Sequence, residues 1–277
     1  MKYTLSAFGS QLEITLIDAQ NDSGISESFS IVKDFEQKYS RFQQGNILSN
    51  INSNKAAVLT SEISSLIKMC LKVSKLTHGA FDITILPILE NVGYGIRSEK
   101  MPENYGYKNI VLNENILTLT NNVSIEFGSC GKGYMLDRIT NILQKYHTKF
   151  VVNFGGDMRI MGEQKVFLED PLDLSKNIGE ILLKNMSLAS SAGNRRIFGA
   201  EHHLIDIETR NAQNDKIAVY VTHKLGVFAD TFATALFVTP LKESLEILKK
   251  VDGLEALIIG SNGKMYKSAG FMCNLYT

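Results

Sequence analysis

Cysteine is scarce and poorly placed for metal or redox work. Cys70, Cys130 and Cys273 lie far apart, form no CxxC pair, and their odd count cannot close fully into disulfides. Reduced thiols in a cytosol are the simpler reading. An excess of one charge is missing too, because 29 Lys and Arg balance 29 Asp and Glu. That removes the global field that draws a chain to nucleic acids or anionic membranes, so any anion site has to be local. No apolar run reaches the length of a membrane helix, and there is no lipobox cysteine. The opening MKYTLSAFGSQLEITL alternates like a strand rather than running like the core of a secretion signal. The expectation is therefore a cytoplasmic chain without a membrane segment. Internal repeats and low-complexity linkers are absent, and 277 residues at 44% hydrophobic content allow one large domain or two small ones.

What is present alternates between strand and helix patterns. Leu12, Ile14 and Leu16 alternate with polar residues, as on a half-buried strand. Phe29, Val32, Phe35, Tyr39 and Phe42 recur every three or four residues and predict a helix with one buried face, Phe42 standing at its exit. Ile63, Leu66, Ile67, Cys70 and Leu71 predict a second helix, ending near Gly79. NIVLNENILTLTNNVSIEF reads as a three-segment antiparallel meander, and KFVVNFGGDMRIMG as strand, Gly-Gly turn and strand. Ala229 to Val238 reads as helix, Pro240 as the first turn of another, and Gly263 as a turn between the last strands. Strands and helices mix without βαβ alternation, so the expected class is α+β, with mixed, largely antiparallel sheets and packed helices.

IEFGSCGKGYMLDRI, residues 125–139, carries the first chemical signal. Apolar alternation up to Phe127 gives way to a glycine turn with Lys132, then to a helix marked by Met135, Ile139, Ile142, Leu143 and Tyr146. Backbone N–H groups at a helix start beside a lysine suit an anion, above all a phosphate. A Walker A loop needs four residues between its first glycine and Gly-Lys, whereas two separate Gly128 from Gly131, and Gly133 follows the lysine. The dinucleotide fingerprint G-x-G-x-x-G does not fit either, since these glycines run G-x-x-G-x-G. Without a ligand, the same glycines would let a strand turn tightly into a helix, with the lysine in solvent. Cys130, inside the turn, reads as a small structural residue.

FADTFATAL sets Asp230 and Thr234 four residues apart, on one face of an otherwise apolar helix. The pair suits either of two tasks. One is a capping aspartate with a threonine bonded back to a carbonyl; the other is a pair of oxygen ligands for a hard cation. Three more polar clusters sit at the ends of elements: THGAFDIT (77–84), VNFGGDMR (152–159) and SAGNRRIFGAEHHLIDIET (191–209). The last holds Ser191, two arginines, His202, His203 and Asp206. On a strand the two histidines would point to opposite sides, so only one could serve a given site. His78, His147 and His223 stand alone and read as surface or turn residues.

In this order and spacing the clusters resemble the ApbE family of FAD:protein FMN transferases, over almost the whole chain. AFGSQLEITL resembles the family's Met-Gly-Thr strand, and YSRFQQGNILSNIN its Ser-Arg-Tyr helix exit. THGAFDIT matches Thr-x-Gly-Ala-Phe-Asp-x-Thr, EFGSCGKGYMLD resembles Asp-Leu-Gly-Gly-x-Ala-Lys-Gly-Tyr-x-x-Asp, and VVNFGGDMRIMG the Gly-Gly-Asp segment. HHLIDIET resembles His-x-Ile-Asp-Pro-x-Thr-Gly, and ADTFATAL the metal-binding Asp-x-x-x-Thr. The resemblance implies one domain over residues 1–277 with a T-fold-related architecture. It also implies an enzyme that binds FAD with Mg²⁺, breaks the pyrophosphate, and attaches FMN to a Ser or Thr of an acceptor flavoprotein, releasing AMP. The acceptor type is a short Asp-x-Ser/Thr-Gly-Ala/Ser-Thr sequence, and no nucleic-acid partner is implied.

Carried over residue by residue, the resemblance assigns Phe8, Phe42, Ala80, Phe81 and Asp82 to the flavin, with Phe8 in place of a methionine and Phe42 of a tyrosine. Gly128, Lys132, Asp137, Gly155, Gly156, Ser191 and His203 complete the FAD site. Lys132 would neutralise phosphate charge and His203 would act as base; Asp230, Thr234 and the carbonyls of Gly131 and Ala233 would hold the metal. Departures fall mostly on the histidine and acceptor side: Ile207 replaces a proline, Arg210 a glycine, Glu126 an aspartate, and SAGNRR matches Ser-Gly-Asp-Tyr-x-Arg imperfectly. Two other readings share these residues: an FAD pyrophosphatase giving FMN and AMP, and a non-catalytic FAD-binding protein.

Overall fold

The computed structural model describes residues 1–17, 19–94, 103–195, 197–198 and 201–276. Its frame is an eight-stranded sheet in the order β1 (Lys2–Ala7), β2 (Ser10–Leu16), β6 (Phe150–Phe154), β7 (Asp157–Met161), β10 (Ser187–Ala192), β15 (Lys216–His223), β16 (Glu255–Gly260), β17 (Met265–Lys267). Every neighbouring pair is antiparallel. Both faces are buried, so the central strands read as near-continuous apolar runs rather than as alternation. In β15, Val219 and Val221 enter one core while Ala218 and Tyr220 enter another; in β16, Ala256 and Ile258 part from Leu257 and Ile259 in the same way.

The first core lies under α1 (Ile25–Tyr39), α2 (Ile47–Asn54), α3 (Ser61–Leu76), α5 (Gly131–Leu143), α6 (Gly226–Val238) and α7 (Leu241–Leu248). The second is closed by a three-stranded sheet of β8 (Glu163–Glu169), β9 (Asn177–Lys184) and β18 (Cys273–Leu275), with Phe271 fully buried in it. A third sheet joins β3 (Ala56–Val58), β5 (Ile116–Leu119) and β4 (Ile110–Asn113). Two short ladders pair β11 (Ile197–Phe198) with β12 (Glu201–His202) and β13 (Ile205–Asp206) with β14 (Asn211–Ala212). The second ladder packs Ile205, Ile207 and Ala212 on α4 (Leu86–Asn91). The expected α+β class and its largely antiparallel sheets are borne out, and no helix among the described residues is long and apolar enough to cross a membrane.

Two local expectations fail, at residues 123–127 and at Tyr146. Residues 123–127 form no strand, and the third strand of the expected meander is β3 instead. Side chains take the place of the ladder: Asn52 Nδ2 donates to the Ile125 carbonyl at 2.9 Å, the Ile125 N–H donates to Asn52 Oδ1 at 2.8 Å, and Lys55 Nζ donates to the Val123 carbonyl at 2.9 Å. Phe42 stands past the exit of α1, as expected, because Ser40 turns the chain extended (ψ 125), and the residue is 58% exposed. Tyr146 falls beyond the end of α5 and is 54% exposed. All three cysteines are free thiols, as expected; Cys70 and Cys130 are fully buried with their sulfurs 3.7 Å apart.

Candidate active site

Helices α5 and α6 meet at their N-termini, and each caps the other. Asp230 on α6 accepts the Gly133 N–H of α5 at 2.7 Å. Asp137 on α5 accepts the Gly226 and Val227 N–H groups of α6 at 2.6 and 2.9 Å. Unpaired N–H groups at a helix start favour a carboxylate, so both first turns are satisfied by a side chain from the other helix. Burial pushes the Asp137 carboxyl up, against those two bonds. The helices approach this closely only because Gly133 and Gly226 meet without side chains: a Cβ on Gly226 would stand 2.8 Å from the Gly133 carbonyl oxygen. Asp230 therefore does cap, but across the helix pair rather than on its own helix.

Lys132, in the first turn of α5, pairs with Asp157 and lies 3.9 Å from Asp230 Oδ1. Asp157 opens β7 directly after the Gly155–Gly156 hairpin turn, whose positive φ values (62 and 98) suit glycine. Its second oxygen accepts the Ser190 N–H at 3.2 Å. On the next turn of α6, Thr234 Oγ1 is 3.4 Å from Ser191 Oγ. Two carboxylates, one ammonium and two hydroxyls thus gather beside the glycine turn.

That turn forms one wall of a cavity of about 320 Å³, near the lower end of ligand pockets. Seven aromatic rings also line it: Phe8, Phe35, Tyr39, Phe42, Phe81, Tyr94 and Phe127. Phe8 reaches it from the tight β1–β2 hairpin, where its backbone takes a left-handed conformation (φ 55) and its N–H donates to Glu36 Oε1 at 2.5 Å. Its ring packs on Phe154 and Phe35, with centroids 5.1 and 5.8 Å away. Asp82 lines the cavity from the segment after α3 and accepts the Thr84 N–H at 2.8 Å, the Thr84 hydroxyl at 2.8 Å and the Tyr107 N–H. Burial outweighs these bonds and pushes its pKa up to about 6. Glu126 accepts the Gly128 N–H at 2.7 Å, pinning the start of the turn. The His203 ring lies 5.6 Å from that of Tyr94 on the cavity wall, whereas His202 packs edge-on against Phe237.

The sequence pattern of the ApbE family matches residues 8–258. The chain belongs to the ApbE family. The FAD:protein FMN transferase of Haemophilus influenzae is 27% identical to it, over 91% of this chain and 83% of that one. The crystal structure of the ApbE protein from Thermotoga maritima superposes with a TM-score of 0.86 at 26% identity, covering 98% of each chain. The flavin transferase ApbE of Vibrio cholerae shares the fold, with a TM-score of 0.83 at 19% identity and the same coverage.

Of the residues the ApbE motifs single out, Phe8, Phe42, Ala80, Phe81, Asp82, Gly128, Gly131, Lys132, His203 and Thr234 line one cavity. Ser191 and Asp230 stand just behind it, in contact with Thr234 and Lys132. Gly155 and Gly156 do not line it but lead directly into Asp157, which pairs with Lys132; Ala233 is buried within α6. Asp137 is left out of the cavity, since both of its oxygens are committed to the start of α6. Sequence reasoning named no role for Arg41, Asp157 or Tyr94, although two of them stood in quoted motifs. Arg196 of SAGNRR lies outside the described residues. The departures in HHLIDIET have local explanations: Ile207 is buried against Ile88 and Leu89, and Arg210 adopts the left-handed backbone (φ 59) that a glycine would give freely.

The oxygen-rich group around Thr234 fits a hard cation in kind. Asp230 and Thr234 share a face of α6, and the Gly131 end of α5 opens on the cavity. Among the described residues no three His, Cys, Asp or Glu side chains converge as a metal cage. An ion here would depend on hydroxyl, carbonyl and ligand oxygens, which is how Mg²⁺ is commonly held beside phosphates.

Proposed function

We propose that this chain is an FAD:protein FMN transferase that uses Mg²⁺ to move FMN from FAD onto a Ser or Thr hydroxyl of an acceptor flavoprotein, releasing AMP. The observation that carries this reading is the continuity of an aromatic cavity with a helix start bearing Lys132, which offers a flat ring and a phosphate adjoining places. Family membership, and relatives bearing that name, support it.

The aromatic wall would hold the isoalloxazine, and Lys132 at the glycine turn would hold and neutralise the pyrophosphate. In the reaction the acceptor oxygen bonds to the FMN phosphorus, the bond from that phosphorus to the AMP oxygen breaks, and the hydroxyl proton leaves. His203, on the cavity wall, is the base proposed to take that proton. Asp230 and Thr234, with the Gly131 and Ala233 carbonyls, would hold Mg²⁺. When bound, it would stabilise charge on the phosphates. Asp157 holds the Lys132 ammonium in place.

The test is mass spectrometry of an acceptor-motif protein incubated with this chain, FAD and Mg²⁺, with AMP followed in parallel. An FMN adduct with matching AMP is expected. AMP without adduct would point to a pyrophosphatase, and FAD retained with neither product to a binding protein.

A further inference from the structure

Arg41 follows the last turn of α1, and its side chain is only 7% exposed. Its Cζ lies 4.5 Å from the ring centroid of Phe42 and 4.5 Å from that of Tyr94. Nη1 donates to the Tyr94 carbonyl at 3.1 Å, and Nε stands 4.0 Å from the Glu126 carboxylate. Nη2 is buried and has no hydrogen-bond partner among the described residues. Arg41, Phe42, Tyr94 and Glu126 all line the cavity. A guanidinium has five donors and no acceptor, and leaving one buried and unpaired is costly enough that native folds rarely do it. None of the described residues supplies that acceptor, and a ligand filling the cavity that Arg41 lines is the candidate source.

Two features identify its chemistry. Glu126 already sets a negative charge against the guanidinium, so the open donor suits a neutral acceptor better than a second anion. The rings around it suit a planar group, while the Lys132 ammonium, at the glycine turn, is the feature that suits an anion. A carbonyl oxygen on a flat heteroaromatic ring meets both conditions. Flavin carries two such carbonyls on its pyrimidine ring and adenine carries none. We infer that Arg41 Nη2 donates to a pyrimidine-ring carbonyl of the flavin, making Arg41 the residue that tells the flavin end of FAD from the adenine end. This rests on the flavin-transfer reading above.

The test is equilibrium binding without divalent metal, so that no turnover occurs. FAD, AMP, 2-thio-FAD and 4-thio-FAD, whose C=S groups accept hydrogen bonds poorly, are titrated against wild type, Arg41→Met and Arg41→Lys. Arg41→Met is expected to weaken FAD by about tenfold or more, since the bond lost is charge-assisted, and to leave AMP within about twofold. Arg41→Lys should not restore FAD affinity, because an ammonium lacks the planar fork. Wild type should bind one thio analogue less tightly than FAD, and Arg41→Met should not distinguish them. The inference is overturned if folded Arg41→Met binds FAD as wild type does, if AMP weakens equally, or if wild type accepts both analogues as well as FAD. That last comparison stands even if the variants melt early. A wild type that binds no flavin at all would remove the functional reading itself, a result distinct from the others.

Discussion

Replacing Gly133 with alanine sets two rules against each other. In a helix, alanine is favoured over glycine by about 1 kcal/mol, so local propensity predicts a stabler protein. At this position the new Cβ would stand 2.5 Å from Asp230 Cβ and 2.7 Å from the Gly226 carbonyl carbon, and closer still to the Gly226 oxygen. Carbon contacts are comfortable at about 3.5 Å, so α5 and α6 must part by about 1 Å. Overpacking of this kind costs about 1–3 kcal/mol, and stretching the charge-assisted bond from Gly133 to Asp230 adds about 1–2 kcal/mol. After the propensity gain, a net loss of about 3 kcal/mol remains, or about 6–12 °C in Tm for a chain of this size. Gly156→Ala is the control: nothing lies within 4 Å of its Cβ, so only left-handed strain (φ 98) is added, at about 1–2 kcal/mol. Thermal and urea unfolding followed by circular dichroism give both numbers. A Gly133→Ala protein as stable as wild type would refute the contact between the helix starts as the reason for the glycine.

Asp82 gives a pH-dependent prediction. Its proton is held more tightly in the folded chain, where the pKa is about 6 rather than 3.8, so its contribution is greatest below pH 3.8 and is lost as pH rises through about 6. The loss is about 3 kcal/mol, and from pH 4 to pH 7 the stability difference should move by up to that amount in favour of Asp82→Asn; a difference independent of pH would count against it. Asp230→Asn can still accept the Gly133 N–H and should melt within about 1 kcal/mol of wild type, while metal-dependent transfer falls by about a hundredfold or more. Unchanged transfer would remove Asp230 from the metal site. His203→Ala is expected to keep FAD binding and lose transfer, and equal loss of both would make it a binding residue rather than a base.

Period and spacing carried the reading wherever one element decides its own burial. Leu12, Ile14 and Leu16 announce β2, and all three are buried. The same reasoning failed at residues 123–127, because an extended apolar segment looks alike whether a strand or the side chain of Asn52, 73 residues away, takes its hydrogen bonds. The role of Asp230 was half legible. Its position on the helix announced a carboxylate at a helix start, but which helix it capped depended on how two helices cross. Asp157 and Arg41 were in view as letters, and only folding brought one to Lys132 and the other between Phe42 and Tyr94.

The two cores divide the labour of the molecule. None of the cavity wall comes from β8, β9 or β18, which close the far side of the central sheet. That layer carries Phe167 and Leu182 outward at 55% and 59% exposure. Tags, surface redesign or attachment to a support can therefore be placed on the β8–β9–β18 side, with the central sheet between the modification and the pocket.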